Sequence, residues 1–157
     1  MSHKYDEIVK HLTAAFDEMR KIGLADVVAK GGVGEILLAH NRNHELIASD
    51  KGADGKDSDG CRYEYKVSIT DQFNFYFGTR EEKDPPESKV KNHFSGLKGA
   101  FCAKREGEKI KRIVFVPTES LVPYLIDHFS DTEGKQLNKN FRFDGLLAMK
   151  DAVEVKP

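Results

Sequence analysis

The chain has 157 residues, 39% of them hydrophobic and 32% charged, with 25 Lys and Arg against 26 Asp and Glu. That length suits one domain, and no apolar run approaches the roughly 18 residues of a membrane span or the core of a signal peptide. Two cysteines, Cys61 and Cys102, exclude a disulfide framework and a thiolate zinc site, and a net charge of −1 argues against holding nucleic acid by bulk positive charge.

A first helix is expected over residues 5–22, where Ile8, Leu12, Ala15, Phe16 and Met19 recur at helical spacing and Gly23 ends the run. A second follows the glycines at 31, 32 and 34, with Glu35 in its first turn and its end near Arg42. Short strands are expected over residues 45–49, 53–57 and 61–69. Between the last two, Asp57-Ser58-Asp59-Gly60 has the chemistry of a type I turn closed by a glycine bulge. With Ser58 to Gly60 as the loop, Asp57 pairs with Cys61 and Asp54 falls opposite Glu64, two residues from Lys66 on the same face. A two-residue turn at Asp59-Gly60 would put Asp57 on that face instead, so either aspartate is open as the partner of Glu64.

Alternation continues through Tyr63, Tyr65, Val67, Ile69, Phe73, Phe75 and Phe77 on one parity, which is too long for one strand and predicts a bend at residues 70–72. A loop over residues 79–87 holds Pro85-Pro86. Beyond it the spacing predicts a helix over 88–104, a strand over 111–116 stopped by Pro117, a helix over 119–129 with Pro123 in its first turn, and a last strand over 141–149. No repeat or linker divides the chain, so residues 1–157 are expected to form one domain. Its parts would be an N-terminal helical element over 1–30, a core over 31–120, and a C-terminal helix and strand over 121–157.

Two carboxylates and an ammonium on one hairpin face suit a hard cation such as Mg²⁺, which takes one or two protein carboxylates and keeps several waters. Such an ion polarises a phosphoryl oxygen and lowers the pKa of a bound water, and a neighbouring lysine orients that water. Other patterns fail. His40 and His44 lack a third zinc ligand, and Gly32-Val33-Gly34 lacks the strand and third glycine of a dinucleotide fingerprint. Charge is uneven as well: four aspartates meet two lysines between Asp50 and Asp59. From Lys89 to Arg112, eight Lys and Arg meet Glu106 and Glu108, a net of +6 that can track a phosphate backbone. Gln72 and Asn74 share the parity of Glu64 and Lys66, and amides of this kind can read adenine.

Gly34-Glu35 at a helix start, Gly52-Ala53-Asp54 and Tyr63-Glu64-Tyr65-Lys66, in the order helix, strand, strand, strand, helix, strand, resemble the PD-(D/E)xK nuclease superfamily, and within it small type II restriction endonucleases. The residue before Asp54 is Ala53 rather than the motif's proline. The resemblance implies an α/β (α+β) restriction-endonuclease-like core, a central mixed β-sheet flanked by helices, in the order αβββαβ behind an N-terminal helix. It implies that Asp54 and Glu64 bind Mg²⁺, with Mn²⁺ able to substitute, that Lys66 assists the attacking water, and that Glu35 edges the site. Expected with it are sequence-specific hydrolysis of double-stranded DNA to 5′-phosphate ends, a homodimer using the first helix, and a cytoplasmic, prokaryotic or phage-encoded protein without membrane attachment. DNA contacts are expected at Gln72, Asn74, Arg80, Lys89, Lys91, Asn92 and His93. The alternatives are a junction resolvase, a repair or nicking nuclease, or a catalytically silent DNA-binding module on the same fold.

Overall fold

In the computed structural model of the chain, residues 6–24, 32–47, 53–80 and 83–157 are described, without the side chains of Asp6 and Val9. The expectations that fall on Tyr5, Gly31, Ala48, Ser49, Gly52, Glu81 and Glu82 lie outside them. Two units are distinguished, Met1–Val33 and Gly34–Pro157. The first contains helix α1 (Asp6–Lys21), close to the span expected from its apolar spacing.

The second unit is built around strand β5 (Leu97–Glu106), in which Leu97 and the run from Gly99 to Ala103 are buried. Around it lies a mixed sheet in the order β1-β2-β3-β5-β6-β8. Its other members are β1 (Glu45–Leu46), β2 (Gly55–Lys56), β3 (Arg62–Ser68), β6 (Lys109–Pro117) and β8 (Val153–Val155). β3 and β5 run parallel, and the other neighbours are antiparallel. A parallel pair needs a crossover. Here it consists of β4 (Phe73–Thr79) and helix α3 (Pro86–His93). β4 pairs with β7 (Gln136–Phe141) as a separate two-stranded ribbon.

Alternation along the strands feeds two cores. Tyr63, Tyr65, Phe101, Ala103 and Ile113 face helix α2 (Val33–Arg42), packing with Leu38 and Ala39. Ala100, Cys102, Val114 and Val116 face the other way, toward α3, the inner side of the ribbon, helix α4 (Thr118–Asp131) and helix α5 (Phe143–Leu147). The result is an α/β domain with a central mixed sheet flanked by helices.

Three expected elements differ from those observed. The helix expected over 88–104 stops at His93, because Gly96 at φ 71° turns the chain into β5. The stretch from Ala100 to Ala103 suits a helix by propensity, yet small residues on alternate sides are what a strand covered on both faces accepts. Pro123 lies well inside α4, beyond its first turn. The residue is exposed there, on the side of the helix where a lost backbone bond can be met by water. The strand expected over 141–149 divides into the end of β7, the short helix α5 and the approach to β8. Phe143 and Leu146, three apart, are buried on one side of a helical turn, a spacing that a strand period cannot bury. The bend expected at 70–72 is present, between the end of β3 at Ser68 and the start of β4 at Phe73.

Candidate active site

The β2–β3 hairpin sets the register of the site. Gly55 pairs with Tyr63 and Lys56 with Arg62, and the Asp57 amide donates to the Cys61 carbonyl at 3.0 Å. The loop is therefore Ser58-Asp59-Gly60, with Gly60 at φ 81° in the left-handed position that closes a glycine bulge. Continuing this count places Asp54 opposite Glu64. The Asp54 amide donates to the Tyr63 carbonyl at 2.9 Å, and its carboxylate Oδ2 accepts the Tyr65 amide at 2.7 Å.

Asp57 is committed elsewhere. Its Oδ1 accepts the amides of Asp59 and Cys61, and its Oδ2 accepts the Tyr63 hydroxyl at 2.7 Å. The Tyr63 hydroxyl, together with these amides, holds its carboxyl below the usual range. Asp57 thus fastens the turn, and Asp54 is the aspartate beside Glu64.

Glu64 is 3% exposed, the buried charged residue of the core among the described residues. Its Oε1 lies 2.6 Å from Lys66 Nζ and its Oε2 lies 3.2 Å from His93 Nε2. Burial alone would raise its pKa, but His93 and Lys66 together hold it below the ordinary value. Burial would likewise lower the Lys66 pKa, and the Glu64 carboxylate more than reverses this. Lys66 is therefore an ammonium, a donor and a source of positive charge rather than a base. Its Nζ also stands 5.4 Å from the centre of the Phe75 ring.

Asp54 behaves oppositely. Burial first, then the negative charges of Glu64 and Glu35, push its carboxyl up to about 7, against the Tyr65 amide and Lys66. Glu35 is raised as well, by burial and by Glu64, with Lys66 opposing. It enters the site because Gly34 lets α2 press onto β3: a Cβ at residue 34 would lie 2.8 Å from two carbons of Val67. Glu35, Asp54, Glu64 and Lys66 are thus within electrostatic reach of one another, from a helix start, the residue before β2, and β3.

The donor set suits a hard divalent ion. Asp54 and Glu64 supply carboxylate oxygens, and the like charge that raises Asp54 is what such a cation relieves. As the side chains stand, no three His, Cys, Asp or Glu among the described residues are gathered closely enough to hold an ion. An ion held by Asp54 and Glu64 would complete its shell with water.

The residues expected to touch DNA separate into groups. His93 belongs to the site itself, its ring edge-on to Phe77 and Phe94 at 5.2 and 4.9 Å. Its position in the sequence carries no signal of this, since it lies 29 positions beyond Glu64 and only the crossover joins them. Arg80 turns its guanidinium onto the end of α4, donating to the carbonyls of Gly134 (2.7 Å), Phe129 (2.6 Å) and Thr132. Lys89 donates to the Thr79 carbonyl at 2.7 Å, and Lys91 pairs with Glu87. Gln72, Asn74 and Asn92 are exposed. Of the two histidines set aside as a zinc pair, His44 lies past the end of α2, its Nδ1 2.7 Å from the Tyr65 hydroxyl and its ring stacked on Tyr63. Both cysteines are free.

No family model and no curated protein matches the chain. No helix among the described residues is long and apolar enough to cross a membrane.

Proposed function

We propose that the chain is a Mg²⁺-dependent endonuclease of the PD-(D/E)xK type, cutting double-stranded DNA at a specific sequence, with a restriction-endonuclease-like core. One observation carries this reading: Glu35, Asp54, Glu64 and Lys66, spread over 32 positions, come within electrostatic reach of one another around strand β3, with Asp54 Oδ2 accepting the Tyr65 amide at 2.7 Å and Glu64 Oε1 lying 2.6 Å from Lys66 Nζ. Asp54 and Glu64 would hold the metal. When bound, Mg²⁺ supplies Lewis acidity at a phosphoryl oxygen and a more acidic water. Lys66, kept protonated by Glu64, donates to the oxygen that gains negative charge and helps orient the attacking water. Glu35, with its raised pKa, accepts a hydrogen bond from that water through its carboxyl group. His93 keeps the Glu64 carboxylate in place.

A two-fold cut in a palindrome needs a two-fold protein, and the apolar stripe of α1 is the element proposed to pair two copies. The test is to incubate the purified chain with mixed plasmid DNA and Mg²⁺, alongside EDTA and Lys66→Ala. Discrete fragments from wild type, with a loss of at least about a hundredfold in the variant, are expected. Identical intact plasmid in all lanes refutes the proposal. A second reading, a silent DNA-binding module, draws on Glu64 having both oxygens engaged by Lys66 and His93. Calorimetry separates the two: Mg²⁺ or Mn²⁺ binds wild type and not Asp54→Asn in an enzyme, and neither in a silent module.

A further inference from the structure

We propose that the exposed face of the β4–β7 ribbon reads A·T-containing DNA through the major groove, with Asn74 and Asn140 as the adenine-contacting pair. The choice of duplex DNA as occupant rests on the endonuclease reading; the choice of face and base rests on the ribbon.

β4 and β7 form a sheet of their own, with Phe73 opposite Phe141, Asn74 opposite Asn140 and Tyr76 opposite Asn138. Phe73, Phe75, Leu137 and Phe141 are buried in the core. The pleat therefore turns Asn74, Tyr76, Asn138 and Asn140 outward, and all four are exposed. Gln72 and Arg142, just outside the two strands, are exposed too and continue the same parity.

The composition of this face is unusual for a solvated one. Asparagine is depleted in strands, yet three stand in these two short strands, FNFYFGT and QLNKNF. Placing them there works against local propensity, which is where a functional demand shows. Neither strand contains a carboxylate, so nothing on it repels phosphate. An Asn amide sets an N–H donor beside a carbonyl acceptor, the pattern matched by adenine N7, which accepts, and N6, which donates. Tyr76, 52% exposed, adds an apolar ring that can meet a thymine methyl. Two strands about 4.8 Å apart with their side chains fit a groove about 12 Å wide. A protein-binding face would instead centre on apolar side chains, and only Tyr76 provides one.

The ribbon is also coupled to the site. The inner Phe75 ring lies 5.4 Å from Lys66 Nζ, and Phe77 lies 5.2 Å from His93. The ribbon that would read bases is thus packed directly on the strand and helix that carry Lys66 and His93.

The experiment is a binding selection from a randomised duplex library, using wild type in EDTA and Lys66→Ala in Mg²⁺, neither of which depends on cleavage. An enriched motif containing A·T pairs is expected. Asn74→Ala and Asn140→Ala should each weaken preference at one such position by roughly ten- to a hundredfold, with the far-UV spectrum and melting temperature retained. Replacing that adenine by 7-deazaadenine should cost wild type a similar factor and cost the matching variant nothing more. No enriched motif, a motif without A·T pairs, or a motif unaffected by both variants overturns the proposal. So does an unchanged motif with an altered mass by light scattering, which would make the ribbon a protein contact. If wild type leaves plasmid intact yet enriches the expected motif, the nuclease reading falls and the ribbon assignment stands.

Discussion

Asp54→Asn should stabilise the metal-free protein above neutral pH while abolishing metal binding. The Asp54 carboxyl is raised from 3.8 to about 7 by burial beside Glu64 and Glu35. Between these values the unfolded chain has released the proton and the folded chain still holds it. Stability therefore falls as pH rises through this window and levels off above the folded value. The difference amounts to roughly 4 kcal/mol at about 1.36 kcal/mol per unit, of which about 2–3 kcal/mol falls between pH 5 and 7. Asparagine keeps an oxygen for the Tyr65 amide, which Asp54 accepts at 2.7 Å, and removes the charge. Urea unfolding in EDTA at half-unit steps from pH 5 to 8.5 measures this directly. The gap between the two proteins should widen by about 2–3 kcal/mol between pH 5 and pH 8, with equal m-values. Parallel curves, or a variant less stable at pH 8, would show that Asp54 does not share a buried field with Glu64 and Glu35.

Other substitutions probe the parts around the site. Arg80→Ala should cost about 2 kcal/mol, or about 4–8 °C in Tm, because it uncaps the end of α4; an unchanged Tm with a shallower salt dependence of DNA binding would make Arg80 a phosphate contact instead. His93→Leu should lower affinity for Mn²⁺ roughly ten- to a hundredfold by freeing the Glu64 carboxylate, and His93→Gln should restore part of it. Equal losses in both, seen by calorimetry, would mean that the ring matters only for packing on Phe77 and Phe94. Gly55→Ala would place a Cβ 2.1 Å from the Tyr65 hydroxyl oxygen. It should break the bond to His44 and cost about 1–3 kcal/mol, and thermal melts that match wild type would contradict the hairpin packing.

The unfavourable state of Asp54 and the tight pairing of Glu64 describe a division of labour between two adjacent carboxylates. Glu64 is held by Lys66 and His93 within the protein, and these contacts keep its carboxyl below the ordinary range. Among the described residues Asp54 forms no ion pair of this kind, and it carries the repulsion of the cluster against the Tyr65 amide and Lys66. A cation arriving at this site would gain most from Asp54, which is why that residue is the more informative one to substitute.

Local chemistry determined much of this in advance. The turn chemistry narrowed the hairpin to two registers, and the pairing of Asp57 with Cys61 chose the one that carries Asp54 opposite Glu64, with Lys66 on the same side. Helix α1, helix α2 and the bend after β3 follow equally from spacing of 3.6 or 2 residues. What the chain does as β5 was decided by its neighbours, since Ala100 to Ala103 fit a helix by propensity and a strand only when β3 and β6 lie on either side. Distance in sequence hid the rest. His93 meets Glu64 because a parallel pair of strands requires a crossover, and the crossover ends beside the site. Asn138 and Asn140 face Asn74 because β7 returns to pair with β4 after more than 50 intervening residues. Spacing along the chain dictates which face a side chain takes within its own element; only the packing of elements dictates which other face it meets.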